Sequence, residues 1–201
     1  MYFIFFCTGK TSWVLNLLRH ANELIDSDFD YIYFFYGEPT KTIESIQKEF
    51  ADKLVTVQGL PSNIEDYIHS SKKGLHIYDD LMFQTSESTE LSKLCAYKTQ
   101  HCNISWIVLF QQLFFGGKER KNIFRCCHYL TLFSHILDRS QVYHLAHRVL
   151  PSKQKVFIQI FEKATSKPFG YLFLDGRNTT PPEARFRTDL FEGYQKVFIP
   201  E

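Results

Sequence analysis

A lysine and a hydroxyl residue that open a helix directly after an apolar run are the first groups in this chain with the makings of chemistry. Thr8-Gly9-Lys10-Thr11-Ser12 stands between Tyr2-Phe3-Ile4-Phe5-Phe6 and a stretch of helical periodicity. In a phosphate-binding loop, backbone N–H groups at a helix N-terminus surround phosphate oxygens. A lysine neutralises the outer phosphates, and the hydroxyl beside it binds Mg²⁺. Thr8, Gly9, Lys10, Thr11 and Ser12 are the residues such a loop would use here. The full pattern also needs a glycine ahead of Gly9, at a position that is Ile4 in this chain. A bare Gly-Lys-Thr is common in unrelated loops, so both readings stand at this point.

Two more groups fit the same chemistry. The apolar run Gly74–Tyr78 ends in Asp79-Asp80, and a strand that delivers acids at its C-terminal end can position Mg²⁺ and an attacking water. The alternative is a simple Asp-Asp turn. The run Ile104–Phe110 ends in Gln111. Strand C-termini of an open parallel sheet face the ligand crevice. The Gln111 amide could therefore orient water or sense a γ-phosphate, against the alternative of a solvated strand end. Cys95, Cys102, Cys126 and Cys127, with His101 and His128, match no zinc-ligand spacing. They read as buried thiols and surface imidazoles.

Positioning these groups requires strands alternating with helices. Strands are expected at Tyr2–Phe6, Asp30–Tyr36, Leu54–Val57, Gly74–Asp80, Ile104–Phe110, Tyr129–Phe133, Gly170–Leu174 and Val197–Ile199. Trp13, Val14, Leu17, Leu18, Ala21, Leu24 and Ile25 form a helical stripe. Further helices are expected around Ile43–Phe50, from Ser62, and over Glu90–Gln100, Ser140–Leu150 and Lys153–Thr165. The pattern predicts one α/β domain over residues 1–201 with a largely parallel sheet, and no internal repeat or linker.

The composition suits that reading. Lys+Arg 23 against Asp+Glu 22 gives a net charge of +1, so no bulk basic field marks a nucleic-acid binder, although a local basic groove remains open. The 44% hydrophobic and 22% charged fractions argue against disorder. No apolar run approaches the roughly 18–20 residues of a membrane span, so no membrane partner is expected. Five cysteines without paired spacing argue against a disulfide framework. The 20 Phe and 11 Tyr are the one excess.

Longer blocks carry a resemblance. Leu75–Met82, His101–Ser105, Gln111-Gln112-Leu113-Phe114 with Gly117-Lys118, and Tyr129–Phe133 look like the core of viral genome-packaging ATPases. Asp138-Arg139-Ser140-Gln141, Gly170–Asp175 and Arg185–Thr188 match as well. The chain resembles the FtsK–HerA-like enzymes of Maverick/Polinton elements, adintoviruses and the poxvirus–adenovirus-like lineage, over nearly its whole length from Thr8.

That resemblance implies a RecA/FtsK–HerA-like P-loop NTPase, a three-layer sandwich with a mainly parallel sheet. It implies an ATP- and Mg²⁺-dependent homo-oligomeric ring that moves double-stranded DNA into a capsid. By matching position, Thr8 to Ser12 would hold the nucleotide, and Thr11 and Asp79 the metal. Asp80 would orient or deprotonate the attacking water, and Gln111 would be the sensor. Lys118, Arg120 and Lys121 are candidates for DNA contact. Arg139 and Arg120 are candidates for an arginine offered to a neighbouring subunit. The chain departs from the family where Ile4–Cys7 replace a glycine-rich loop, Cys102 an arginine, and Gln112 and Cys126 asparagines. The T-rich codons of Phe, Ile, Tyr and Cys lead us to expect residues 1–7 to be a read-through polypyrimidine tract, with the glycines encoded upstream. Two rival readings remain: a non-hydrolysing binding module that keeps the fold, and a small-molecule P-loop kinase.

Overall fold

The run of β-branched and aromatic residues that marks each expected strand does form a strand, and period-2 alternation sorts the side chains onto two faces. The computed structural model describes residues 2–6, 9–25, 28–98, 101–114, 117–134 and 139–200. Its strands are β1 (Tyr2–Phe6), β2 (Tyr31–Tyr36), β3 (Leu54–Gln58), β4 (Gly74–Asp79), β5 (Ile104–Phe110), β6 (Tyr129–Phe133), β7 (Tyr171–Asp175), β8 (Phe186–Thr188) and β9 (Lys196–Phe198). They form one nine-stranded sheet in the order β3-β2-β4-β5-β1-β6-β7-β8-β9. Pairing is parallel from β3 to β6 and antiparallel from β6 to β9.

One face packs on α1 (Lys10–Arg19) and α3 (Lys41–Glu49). Trp13, Val14, Leu17, Ile43 and Ile46 meet Phe34, Ile77, Ile107 and Leu109 there. The other face packs on α5 (Thr89–Lys93), α6 (Lys118–Arg125), α7 (Arg139–Val149) and α8 (Gln154–Ala164). Leu91, Ile123, Leu145 and Phe157 meet Tyr78, Trp106, Val108 and Leu132. Helices on both faces of a mainly parallel sheet make the expected three-layer α/β sandwich.

The helices depart from expectation in instructive places. The stripe from Lys10 to Ile25 is two helices, α1 and α2 (Ala21–Leu24). At His20 both the backbone N–H and ring Nδ1 turn back to the Asn16 carbonyl, at 3.0 and 2.9 Å, and the helix ends. The helix expected from Ser62 is a single 3₁₀ turn, Ile64–Tyr67. The span expected over Glu90–Gln100 divides into α5 and a π turn, Leu94–Lys98, while Gln100 lies outside the described residues. The short α4 (Met82–Glu87), the charged α6 and strand β8 have no counterpart in the sequence reading. Among the described residues no helix is long and apolar enough to cross a membrane.

One buried polar residue makes the fold sensitive to pH. His76 on β4 is fully buried among the rings of Tyr31, Tyr33, Phe35 and Tyr78. Its Nε2 lies 3.0 Å from the Tyr67 carbonyl, which can only accept, so the proton sits on Nε2 and Nδ1 faces the Tyr78 hydroxyl at 3.2 Å. Burial, with nearby His69, lowers its pKa from 6.5 to about 4, against the pull of the Tyr67 carbonyl. Below pH 6.5 the unfolded chain takes up a proton that the folded chain refuses, so stability falls as pH falls toward 4. Urea denaturation should show a loss of about 3 kcal/mol across that window. The slope should largely vanish in His76→Gln.

Candidate functional site

Because β4, β5 and β1 are adjacent and parallel, the residues that follow them emerge side by side on one sheet edge. Phe6 pairs with Phe110 and Tyr78 with Val108, which brings Gly9, Gln111 and Asp79-Asp80 to similar height. Strand β5, bearing Gln111, lies between the strand that leads to Lys10 and the strand that bears the acids.

Gly9 is the N-cap of α1 at φ 95°, in the left-handed region that glycine enters at little cost. The N-terminus of α1 has no side-chain cap and no acid in its first turn, and its first residue is Lys10. A lysine at the positive end of a helix is unfavourable by itself. An anion held by the backbone N–H groups and Lys10 together would reverse that sign. Ser12 is exposed one position past Thr11, while Thr8 lies outside the described residues.

The Thr11 hydroxyl donates to Asp79 Oδ2 at 2.7 Å, joining α1 to the end of β4. Asp79 is only 6% exposed. Burial raises its pKa, the Thr11 hydrogen bond and the Lys10 charge pull it back, and neighbouring Asp80 raises it further. Asp80 lies past the strand with φ 54°, and Gln111 Nε2 donates to its Oδ1 at 2.7 Å. The turn is held from the other side by Gly37, whose N–H donates to the Asp79 carbonyl at 3.0 Å. A Cβ on Gly37 would meet the Asp80 carbonyl oxygen at 2.5 Å, so only glycine lets the β2 loop approach this closely.

Lys10, Thr11, Asp79, Asp80 and Gln111 thus border one cavity of about 310 Å³. Glu38, Thr40 and Thr42 complete its wall, and the sequence reading passed over them. The signal was present, because β2 is parallel to β4 and its C-terminal loop must reach the same edge. The Thr11 hydroxyl, the two carboxylates and the Gln111 amide oxygen are hard oxygen donors, a set that suits Mg²⁺. Among the described residues no group of three or more His, Cys, Asp and Glu could hold a metal alone.

The cationic candidates separate from this edge. Lys118 and Lys121 are exposed on α6. Arg120, the third candidate, is 4% exposed, with its guanidinium 4.1 Å above the Phe110 ring. Burial lowers its pKa to about 10. Arg139 is exposed and ion-paired with Glu162 of α8. Asp138 lies outside the described residues.

The fold is an α/β sandwich with a mainly parallel sheet, shared with genome-packaging NTPases. No protein-family model and no curated protein matches the chain. Solved structures do. The genome packaging NTPase B204 from Sulfolobus turreted icosahedral virus 2 in complex with AMPPCP is similar with TM-score 0.58 at 9% identity, covering 100% of this chain and 97% of that one. Its complex with ATP-γ-S gives 0.56 at 11% identity, covering 100% and 96%. The DNA-packaging ATPase B204 from Sulfolobus turreted icosahedral virus gives 0.57 at 10% identity, covering 100% and 97%. At these identities the likeness is one of fold.

A buried acid whose pKa is raised on folding weakens the fold as it ionises. Folded Asp79 holds its proton to higher pH than the unfolded chain, so its contribution to stability declines as pH rises from the ordinary carboxylate range to its raised folded value. Asp79→Asn, which can still accept from Thr11, should therefore unfold at higher urea than wild type at neutral pH. The advantage should shrink toward pH 4, measured with no nucleotide present.

Proposed function

We propose that the chain is an ATP-hydrolysing motor that moves double-stranded DNA, of the genome-packaging kind and encoded by an integrated Maverick-like element. The carrying observation is the Thr11–Asp79 hydrogen bond, which ties a Gly-Lys-Thr helix start to a buried acid 68 positions away. Without that union the tripeptide and the acids would be unrelated local features. The similarity to a DNA-packaging ATPase supports DNA as the partner, and the homo-oligomeric ring on a capsid is what the sequence resemblance implies.

In this reading the α1 N-terminus and Lys10 bind the phosphates and neutralise charge that builds up on them. Thr11 and Asp79 would hold Mg²⁺, which when bound supplies positive charge to the phosphate oxygens. Asp80, fixed by Gln111, orients the attacking water and takes its proton. In-line phosphoryl transfer needs little from the protein beyond such positioning and charge. Lys10→Ala and Asp80→Asn should each lower ATP turnover by about 10²-fold or more. Release of inorganic phosphate measures it, and unchanged release in both variants would refute the assignment.

A second reading has its own support. Ile4 pairs with Val108 on one side and Leu130 on the other, so the position where the full motif has glycine lies inside the sheet. A module that binds nucleotide or partner without turnover would be compatible with that shortened cradle. Titration with ATP and Mg²⁺ separates the two when paired with the turnover assay. Under the motor reading, DNA contact falls to exposed Lys118 and Lys121. Charge reversal there by Lys118→Glu with Lys121→Glu should weaken DNA binding and flatten its dependence on salt by about one to two phosphate contacts. Binding curves at several salt concentrations measure that slope.

A further inference from the structure

An aromatic side chain stands exposed beside the phosphate loop, on a backbone conformation that disfavours it. Phe169 is 78% exposed. It occupies the third position of a turn closed by the Gly170 N–H donating to the Lys167 carbonyl at 2.9 Å, with Pro168 ahead of it. Its φ is 59°, the left-handed value that this position of a type II turn requires and that glycine normally fills. A large ring in such a place costs solvation and backbone strain together, and the turn geometry alone would be better served by glycine.

The position of that ring is informative. A Cβ built on Gly9 would lie 3.5 Å from Phe169 Cδ1 and 3.6 Å from Phe133 Cε1, so both rings border the start of α1. Phe133 ends β6 and pairs with Tyr171 at the start of β7, on the β6–β7 side of Lys10. Glu38, Asp79, Asp80 and Gln111 follow β2, β4 and β5, on the opposite side. A triphosphate crossing the α1 N-terminus with its terminal phosphate toward these acids must direct its other end toward β6 and β7. What a nucleoside triphosphate carries at that end is a flat aromatic base.

We propose that Phe169 is the base-stacking residue of the site and makes it select nucleoside triphosphates over bare polyphosphate. The Phe133 ring beside the start of α1 is buried, whereas the Phe169 ring beside it is exposed. Stacking is tolerant of base identity because every base has a π face, so purine and pyrimidine nucleotides should both benefit, purines more. This inference rests on the nucleotide reading given above.

Two ligands and two variants test it. Binding of ATP and of inorganic tripolyphosphate, each with Mg²⁺, is measured calorimetrically on wild type, Phe169→Gly and Phe169→Tyr. Phe169→Gly, which suits the left-handed turn and should fold at least as stably as wild type, is expected to weaken ATP by roughly 5- to 150-fold. Tripolyphosphate should change by less than about 2-fold, and Phe169→Tyr, which keeps the ring, should retain ATP affinity. Unchanged ATP binding in Phe169→Gly, or equal loss of both ligands, would overturn the stacking role alone. If wild type binds neither ligand, the nucleotide reading falls and this inference falls with it.

Discussion

A carboxylate buried at the end of a strand is tolerable only if something answers its charge, and at Asp79 the answer comes from a different element. β1 and β4 are separated by β5, which sets their ends roughly 10 Å apart at ordinary strand spacing. For the Thr11 hydroxyl to reach Asp79 at 2.7 Å, the first turn of α1 must lean across the end of β5. That lean fixes where α1 lies on the sheet, and so where Trp13, Val14 and Leu17 meet Ile77, Ile107 and Leu109. The same hydrogen bond sets the distance between Lys10 and the acids, and with it the cavity between them.

The connection that makes this crossing is short. β1 runs to Phe6, and α1 begins at Lys10. In the full motif, glycines between strand and helix wrap their N–H groups around a phosphate. Here the corresponding stretch, from Ile4 to Phe6, is taken up by pairing with β5 and β6. Strand and cradle compete for the same residues, and in this structure the strand has them. The sheet gains a central parallel strand that joins β5 to β6. The phosphate end keeps the helix N-terminus, Lys10 and Thr11.

How far the sequence revealed all this depended on how local each cause was. The parallel strands were legible because burial on both faces makes near-continuous apolar runs such as Ile104–Phe110. Lys10, Thr11, Asp79, Asp80 and Gln111 were legible because strand ends in a parallel sheet share one edge, so linear order implied proximity. Helix α6 was not, since its run Lys118–Arg125 is strongly charged and one of its inward positions is Arg120, packed on Phe110. No periodicity rule counts arginine as apolar, and the same fact hid that Arg120 is buried. Strand β8 was missed because it has three residues with Arg187 at the centre, and pairing with β7 and β9 rather than propensity holds it. Glu38 and Phe169 share one cause: each sits in a loop whose destination only the sheet order reveals.

Two buried aspartates on opposite ends of the sheet show what distinguishes a structural acid from one kept for a ligand. Asp175 ends β7 and is fully buried, and burial alone would raise its pKa. Arg177 at 2.8 Å, its backbone N–H, Thr180 and Arg187 at 3.6 Å outweigh that, and the net shift is downward. Its charge is settled within the protein, and it pins the antiparallel extension to the sheet. Asp79 has comparable burial but is answered by the Thr11 hydroxyl, the Lys10 charge and the Asp80 backbone N–H, with the Asp80 carboxylate adding a like charge, and the net shift is upward. The fold was able to place an arginine beside a buried aspartate, since it did so at Asp175. At Asp79 it placed neutral donors, a more distant lysine and a second acid. A site left short of positive charge, bordering an open cavity and facing an uncapped helix N-terminus, is poised for a ligand that brings a cation together with an anion. A metal–polyphosphate complex would bring its cation to Asp79 and Asp80 and its anion to the α1 N-terminus, whereas a cation alone would bring nothing to that N-terminus.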